Sequence, residues 1–405
     1  MNHNASKLVT YTKEQVESYI FKCEHRTSPK DFTRISPLNF KAIAFIILHM
    51  VKKAIKVELM SYFYYHGDAP QTPSRQAFTH ARAKISYLAF KDFFDKSCEL
   101  AENGEGARTY KGYRLFAIDG TSFIAGKMGK LKEYFGGSTT VKGKAMCRIG
   151  GVVDVLNDCI IKAAVSGFSV GERALAIEQV RQLKPVANAL YLLDRGYWSP
   201  ELVLGIIENG QRFLMRLASN TGNTVLTDEG GNPINLRRYS FMLPSGTVET
   251  LLTNIPAHEM SDDELSCLYA KRWGIETKYL ELKDRLQIDS FSGESINTVL
   301  QDIYATLYIS NLVAFICFEV DESLNRQESD SKYERKAKRT LCISALRERF
   351  IHLCLIDDPN IRNQALQRLF DDLMSDVTYA GKSKPRVRGK KKHFSYRIKN
   401  RPSFL

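Results

Sequence analysis

Paired cysteines are missing from this 405-residue chain. Its eight cysteines (Cys23, Cys98, Cys147, Cys159, Cys267, Cys317, Cys342 and Cys354) stand singly, with no C-x-x-C and no close cluster with histidine. That argues against a zinc site and a disulfide framework and leaves reduced structural thiols as the expectation. The opening residues, MNHNASKLVTYTKEQ, lack a basic stretch followed by an apolar core, so secretion is not expected. Long apolar runs are scarce: AIAFIILHMV at 42–51 is flanked by lysines and too short to cross a bilayer. A cytoplasmic chain without a membrane partner is the expectation. No internal repeat or proline-rich linker interrupts the sequence, and residues 377–405 contain no acidic side chain.

What is present suits a globular protein of about two to four domains, with 44% hydrophobic residues and a formal net charge of +13. Ten of those charges fall in the acid-free tail at 377–405 (Lys382, Lys384, Arg386, Arg388, Lys390, Lys391, Lys392, Arg397, Lys399 and Arg401), leaving +3 for the rest. Phe394 and Tyr396 lie among them. Backbone neutralisation on a nucleic acid with occasional base stacking fits this pattern, and so does a solubilising tail.

Residues 1–110 read as helical, a candidate DNA-binding domain. After a turn containing Pro70 and Pro73, Ala77, Phe78, Ala81 and Ile85 form an apolar stripe, with Arg75, His80, Arg82 and Lys84 largely off it. A helix offering Arg75, Arg82 and Lys84 to DNA and an ordinary amphipathic helix explain this equally well. Residues 111–217 change texture: three β-rich runs, a helix, the apolar strand NALYLLD, a helix opened by Ser199 and Pro200, and the strand RFLMRL. This order predicts an α/β core of ribonuclease-H-like arrangement. Residues 218–257 read as a mostly β insertion and 258–320 as the final helices of the core. A helical region at 321–376 and the basic tail at 377–405 follow.

Asp119 lies within the apolar strand LFAIDGTSF and Asp194 ends LYLLD. A carboxylate in such a place is costly unless it caps a turn, meets a basic side chain such as Arg195, or binds a metal. Adjacent strands would bring the two to one site. The segment at 261–287 opens with Ser261 and Glu264 in capping-box spacing, and Leu265, Leu268, Ile275, Tyr279, Leu282 and Leu286 share one stripe, which predicts a single long helix. Tyr269, Glu276 and Lys283, seven residues apart, then project along nearly one line with Arg272 beside them. Glu281 points about 140° away from Glu276. The bland alternative for these cations is intrahelical pairing with Glu276. Trp273 favours core packing over stacking on a displaced base. The lysine- and glycine-rich loop at 126–144 is equally a DNA clamp or a solvated loop.

The run YAKRWGIETKYLELK fits Y-x2-R-x3-E-x6-K, and in this the chain resembles the insertion-sequence-four family of bacterial DDE transposases. IDGT around Asp119, LLDRGYW around Asp194, LLTNI before the signature helix and QDIYATLYISNL after it also resemble that family, in order, over about 113–312. The resemblance implies a ribonuclease-H-like catalytic domain interrupted by a β insertion and holding two Mg²⁺ or Mn²⁺ ions. It implies metal-ligand roles for Asp119, Asp194 and Glu276, and DNA phosphate contacts for Tyr269, Arg272 and Lys283. It also implies a homodimer acting on element ends and target DNA. Three carboxylates suffice for such hard cations, which prefer oxygen ligands. The function expected is cut-and-paste transposition. The rivals are a nuclease of the same fold without strand transfer and an inactive DNA-binding relative acting as a repressor.

Overall fold

The computed structural model describes residues 4–49, 52–66, 71–104, 106–127, 129–139, 141–222, 224–228, 230–243, 246–326 and 333–379. The ten cations of the tail and Pro70 of the expected turn lie outside the described residues. Helices come first: α1 (Asn4–Glu17), α2 (Tyr19–His25), α3 (Phe40–His49), α4 (Ile55–His66), α5 (Arg75–Arg82) and α6 (Leu88–Asn103). The α/β region follows as β1 (Arg114–Lys127), α7 (Lys130–Phe135), β2 (Lys144–Asp154), β3 (Cys159–Gly167), α8 (Glu172–Gln182) and β4 (Ala189–Leu193). Next come a 3-10 turn (Arg195–Tyr197), α9 (Pro200–Glu208), β5 (Arg212–Arg216), β6 (Arg237–Met242) and β7 (Val248–Thr253). The signature segment runs as α10 (Asp262–Tyr269), a 3-10 turn (Ala270–Trp273), α11 (Gly274–Leu280) and a π turn (Glu281–Arg285). The chain continues through α12 (Ile296–Arg326), β8 (Arg335–Ala337), α13 (Arg339–Leu355), α14 (Pro359–Met374) and β9 (Val377–Tyr379).

These elements divide into two compact units, one of residues 101–123 and 135–281 and the other of 1–100, 124–134 and 282–405. The N-terminal helices therefore share a unit with the C-terminal ones, and α12 falls with them.

The sheet has the order β3-β2-β1-β4-β5-β7-β6. β1, β4 and β5 are parallel neighbours, while β2 and β3 form the expected antiparallel hairpin. A hairpin followed by parallel strands in the order 3-2-1-4-5 is the ribonuclease-H-like arrangement. β4 is apolar and buried at every position, as a central parallel strand covered on both faces must be. Asp158 turns the hairpin with φ 54°, a left-handed conformation that Asp tolerates. The β insertion is no separate layer: β7 pairs antiparallel with β5, and β6 with β7, so both strands extend the core sheet. Ser199 accepts the Leu202 amide to cap α9 with Pro200 in its first turn, and Ser261 and Glu264 close a capping box on α10.

In the helical unit, α12 is long and apolar enough to cross a membrane by length and composition, with a mean hydropathy of 1.7. Of that apolar window 89% is buried within the fold, which makes it a core helix. Arg82 is corrected as a DNA contact. It is 2% exposed and donates to Gln301 Oε1 at 2.6 Å, the Thr298 carbonyl at 3.0 Å and Asp302 Oδ1 at 2.8 Å. The buried stripe of α5 thus includes Arg82 with Phe78, Ala81 and the following Ile85, whereas Ala77 is exposed. Arg75 and Lys84 face solvent. The basic loop is not wholly irregular either, because α7 forms inside it with Leu131 and Phe135 buried.

Candidate active site

The register of β1 on β4 pairs Ile118 with Leu193, so the next residues along these parallel strands are Asp119 and Asp194. Strand pairing alone thus sets Asp119, midway along β1, beside Asp194, just past the end of β4. Asp119 is half-buried. It accepts the Gly120 amide at 2.8 Å and the Tyr197 hydroxyl at 3.3 Å, and its backbone carbonyl accepts the Tyr279 hydroxyl at 2.6 Å. Burial, aided by the negative charges of Glu172 and Glu276, pushes its carboxyl up to about 6 against the opposing pull of the Gly120 amide and Arg272.

Asp194 goes the other way. Burial opposes its charge, but the Arg195 amide at 2.7 Å and the charges of Arg216 and Arg272 outweigh burial and hold its carboxyl below the usual range. Its cation is Arg216 of β5, with Nε at 2.9 Å and Nη2 at 2.8 Å, in place of the neighbouring Arg195. Arg216 in turn donates to Glu249 of β7 at 2.7 Å. The inserted hairpin therefore holds the arginine that orients Asp194. The Tyr269 hydroxyl donates to the Leu193 carbonyl at 3.3 Å and lies 3.5 Å from Asp194 Oδ1.

The helix carrying Glu276 is not one regular α-helix. Each residue of a 3-10 turn advances about 20° more than an α-helical one, so four of them rotate Glu276 by about 80° from its straight-helix direction relative to Tyr269. The six positions of the apolar stripe are nonetheless all buried. Arg272 is 4% exposed and donates from Nη2 to Glu276 Oε1 at 2.9 Å, and its charge acts on both Asp119 and Asp194. Trp273 is 49% exposed, against the core packing favoured from sequence. Lys283 sits half-buried on the π turn and belongs to the helical unit. Glu281 turns inward and takes Lys278 Nζ at 3.2 Å, a fully buried lysine that also lies 3.3 Å from Asp158.

Four participants went unread in the sequence: Arg216, Tyr197, Tyr279 and Glu172. Glu172 packs on Gly120 so closely that a Cβ there would lie 2.5 Å from its Cγ. It lines an open cleft of about 620 Å³ with Arg148, Arg173 and Gly196. Only Tyr197, within LLDRGYW, carried a local signal, because it follows Asp194 by three residues.

Among the described residues, no three acidic, histidine or cysteine side chains are drawn close enough to hold a metal ion. Asp194 is turned onto Arg216 and Glu276 onto Arg272. The donor set still fits a hard divalent cation, being all carboxylate oxygen, with the Asp119 charge raised in energy by burial and, less, by its acidic neighbours.

The family model described as Transposase DDE domain matches residues 110–312, about half of the chain, from the start of β1 through the signature segment into α12. A protein of Sinorhizobium fredii (strain NBRC 101917 / NGR234) named "Putative transposase y4zB" is 25% identical over 289 residues, covering 64% of this chain and 74% of its own. Among solved structures, the cryo-EM structure of the piggyBac transposase synaptic complex with hairpin DNA superposes with a TM-score of 0.51 at 12% identity. That likeness covers 91% of this chain and 84% of that one, and it is a likeness of fold. With the family model spanning both carboxylate strands and the helix that follows them, the chain belongs to the DDE transposase family.

Proposed function

We propose that this enzyme is a cut-and-paste transposase of the insertion-sequence-four type, freeing the ends of a bacterial mobile element and joining them to target DNA. The observation that carries the proposal is the register of β1 on β4, which sets Asp119 beside Asp194 within reach of the charge of Arg272, itself paired with Glu276. Asp119, Asp194 and Glu276 would hold two Mg²⁺ or Mn²⁺ ions. Such ions, when bound, activate a water or 3′-hydroxyl for in-line attack and stabilise the departing oxygen. Arg216 orients Asp194, and the Tyr197 hydroxyl orients Asp119. Arg272 and Tyr269 face the phosphate beside the reacting one, with Lys283 as a point charge further along. Trp273, half-exposed, offers a ring to a displaced base, and Arg75 and Lys84 on α5 contact the element ends. Joining two ends to one target calls for a homodimer in the active complex, working in the cytoplasm.

Purified protein incubated with DNA carrying both element ends, in Mg²⁺ or EDTA, tests this. Wild type is expected to cleave and join ends only with the metal, and Glu276→Ala to lose at least about a hundredfold in rate. The acidic control is Glu281→Gln, which leaves Lys278 a partner and is expected to stay active. Cleavage without joining would favour the nuclease reading, and binding without cleavage the repressor reading. Undiminished activity in Glu276→Ala would sink the assignment of the third carboxylate.

A further inference from the structure

Arg272 is buried in an unusual way. Its side chain is 4% exposed, yet its one direct ion pair among the described residues is with Glu276, four residues along the same segment. Its Nε is buried and meets no hydrogen-bond partner among the described residues. A guanidinium has five N–H donors, and a buried donor left unmade is costly, so this placement needs a reason beyond an intrahelical pair. The guanidinium carbon lies 5.9 Å from the Tyr269 ring centroid and 5.5 Å from that of Trp273, so aromatic faces rather than acceptors surround much of it. Its charge also reaches the carboxylates of Asp119 and Asp194.

We infer that Arg272 is the resident counter-cation of the carboxylates Asp119, Asp194 and Glu276, held on Glu276 until divalent ions take over that charge and free its guanidinium for a DNA phosphate. The inference rests on the metal-ion reading of the site proposed above. A fixed guanidinium and a divalent ion beside the same carboxylate repel each other in a partly buried site, so the two arrangements exclude one another. Once turned away from Glu276, the donors of Arg272, including the unsatisfied Nε, suit the fork of a phosphate. Metal and DNA then reinforce each other's binding, since each favours the arrangement in which Arg272 has left Glu276.

Calorimetric titration of the full chain with Mn²⁺, without DNA, reads this directly and requires no turnover. Arg272→Gln is expected to bind Mn²⁺ about tenfold more tightly than wild type. Arg272→Lys, which keeps the charge, should stay within about threefold of wild type. An end-bearing duplex should tighten Mn²⁺ binding to wild type more than to Arg272→Gln. Thermal melts confirm that each variant is folded, and the lysine variant carries the comparison should the glutamine one not fold. Equal or weaker Mn²⁺ binding by Arg272→Gln, or tightening by Arg272→Lys as large as that expected of glutamine, overturns the inference. If Glu276→Gln in an otherwise wild-type chain leaves Mn²⁺ affinity unchanged, the metal reading itself fails and takes this inference with it.

Discussion

Asp119 pits stability against function at a single side chain. Its carboxyl is raised to about 6 in the folded protein from an ordinary 3.8. A raised acid favours folding fully below its unfolded value, and that favour is lost as pH climbs through 6. Above that pH the ionised group weighs on the metal-free fold by about 1 to 3 kcal/mol. Asp119→Asn, which keeps an acceptor for the Gly120 amide, is therefore expected to melt higher than wild type in EDTA at pH 8, to keep about half of that advantage at pH 5 and lose it only below about pH 4, and to lose cleavage at every pH. Equal melting temperatures at pH 8 would mean the charge is already balanced. Arg82 gives the opposite case: buried on Asp302, it is expected to cost about 3 to 5 kcal/mol as Arg82→Ala, seen in urea unfolding. The exposed Arg75→Ala should leave unfolding unchanged and weaken DNA binding. Sequence could not separate the two arginines, because the partners of Arg82 lie more than two hundred positions away on and just before α12.

At the scale of elements, the strands were legible because alternation and apolar runs report burial directly: β3 falls at 159–167 as expected, and β4 at the NALYLL run. The carboxylate pair was legible for the same reason, since Asp119 and Asp194 interrupt those runs. The signature segment was not, beyond its helical face. A 3-10 turn over-winds and the π turn after it under-winds, yet all six positions of the apolar stripe are buried, so the pattern mimics a regular helix. Packing imposes this path. A Cβ on Gly274, the first of the two residues between the 3-10 turn and Glu276, would lie 2.9 Å from the Cβ of Val155, just past the end of β2. Gly274→Ala is expected to destabilise the protein by about 1 to 3 kcal/mol through overpacking, lowering the urea midpoint. Gly205→Ala in α9 meets nothing closer than 4.0 Å and should instead stabilise by up to about 1 kcal/mol through helix propensity. An unchanged or raised midpoint in Gly274→Ala would mean that the approach of Gly274 to Val155 does not set the course of the helix.

For the whole molecule, charge is arranged unevenly along the chain. Ten of its thirteen net positive charges fall at 382–401, beyond β9, the last described element. Residues up to Tyr379 retain every described helix and strand, the three carboxylates, Arg216 and Arg272, with a net charge near neutral for their size. The residues of the site and most of the net positive charge are thus carried by different parts of the sequence, and the charged part is expected to supply general attraction to the DNA backbone. Counterion release makes the second measurable, because each phosphate neutralised adds about 0.9 to the slope of log affinity against log salt. A chain ending at Tyr379 is expected to melt within a degree or so of the full chain. It should still cleave ends at low salt, and it should show a slope smaller by at least about three. The loss should be alike on end-bearing and unrelated DNA, because neutralised phosphates carry no sequence information. An unchanged slope would return the tail to a solubilising role. A loss confined to end-bearing DNA would instead make it part of the recognition of the ends, moving that task away from α5 with its Arg75 and Lys84.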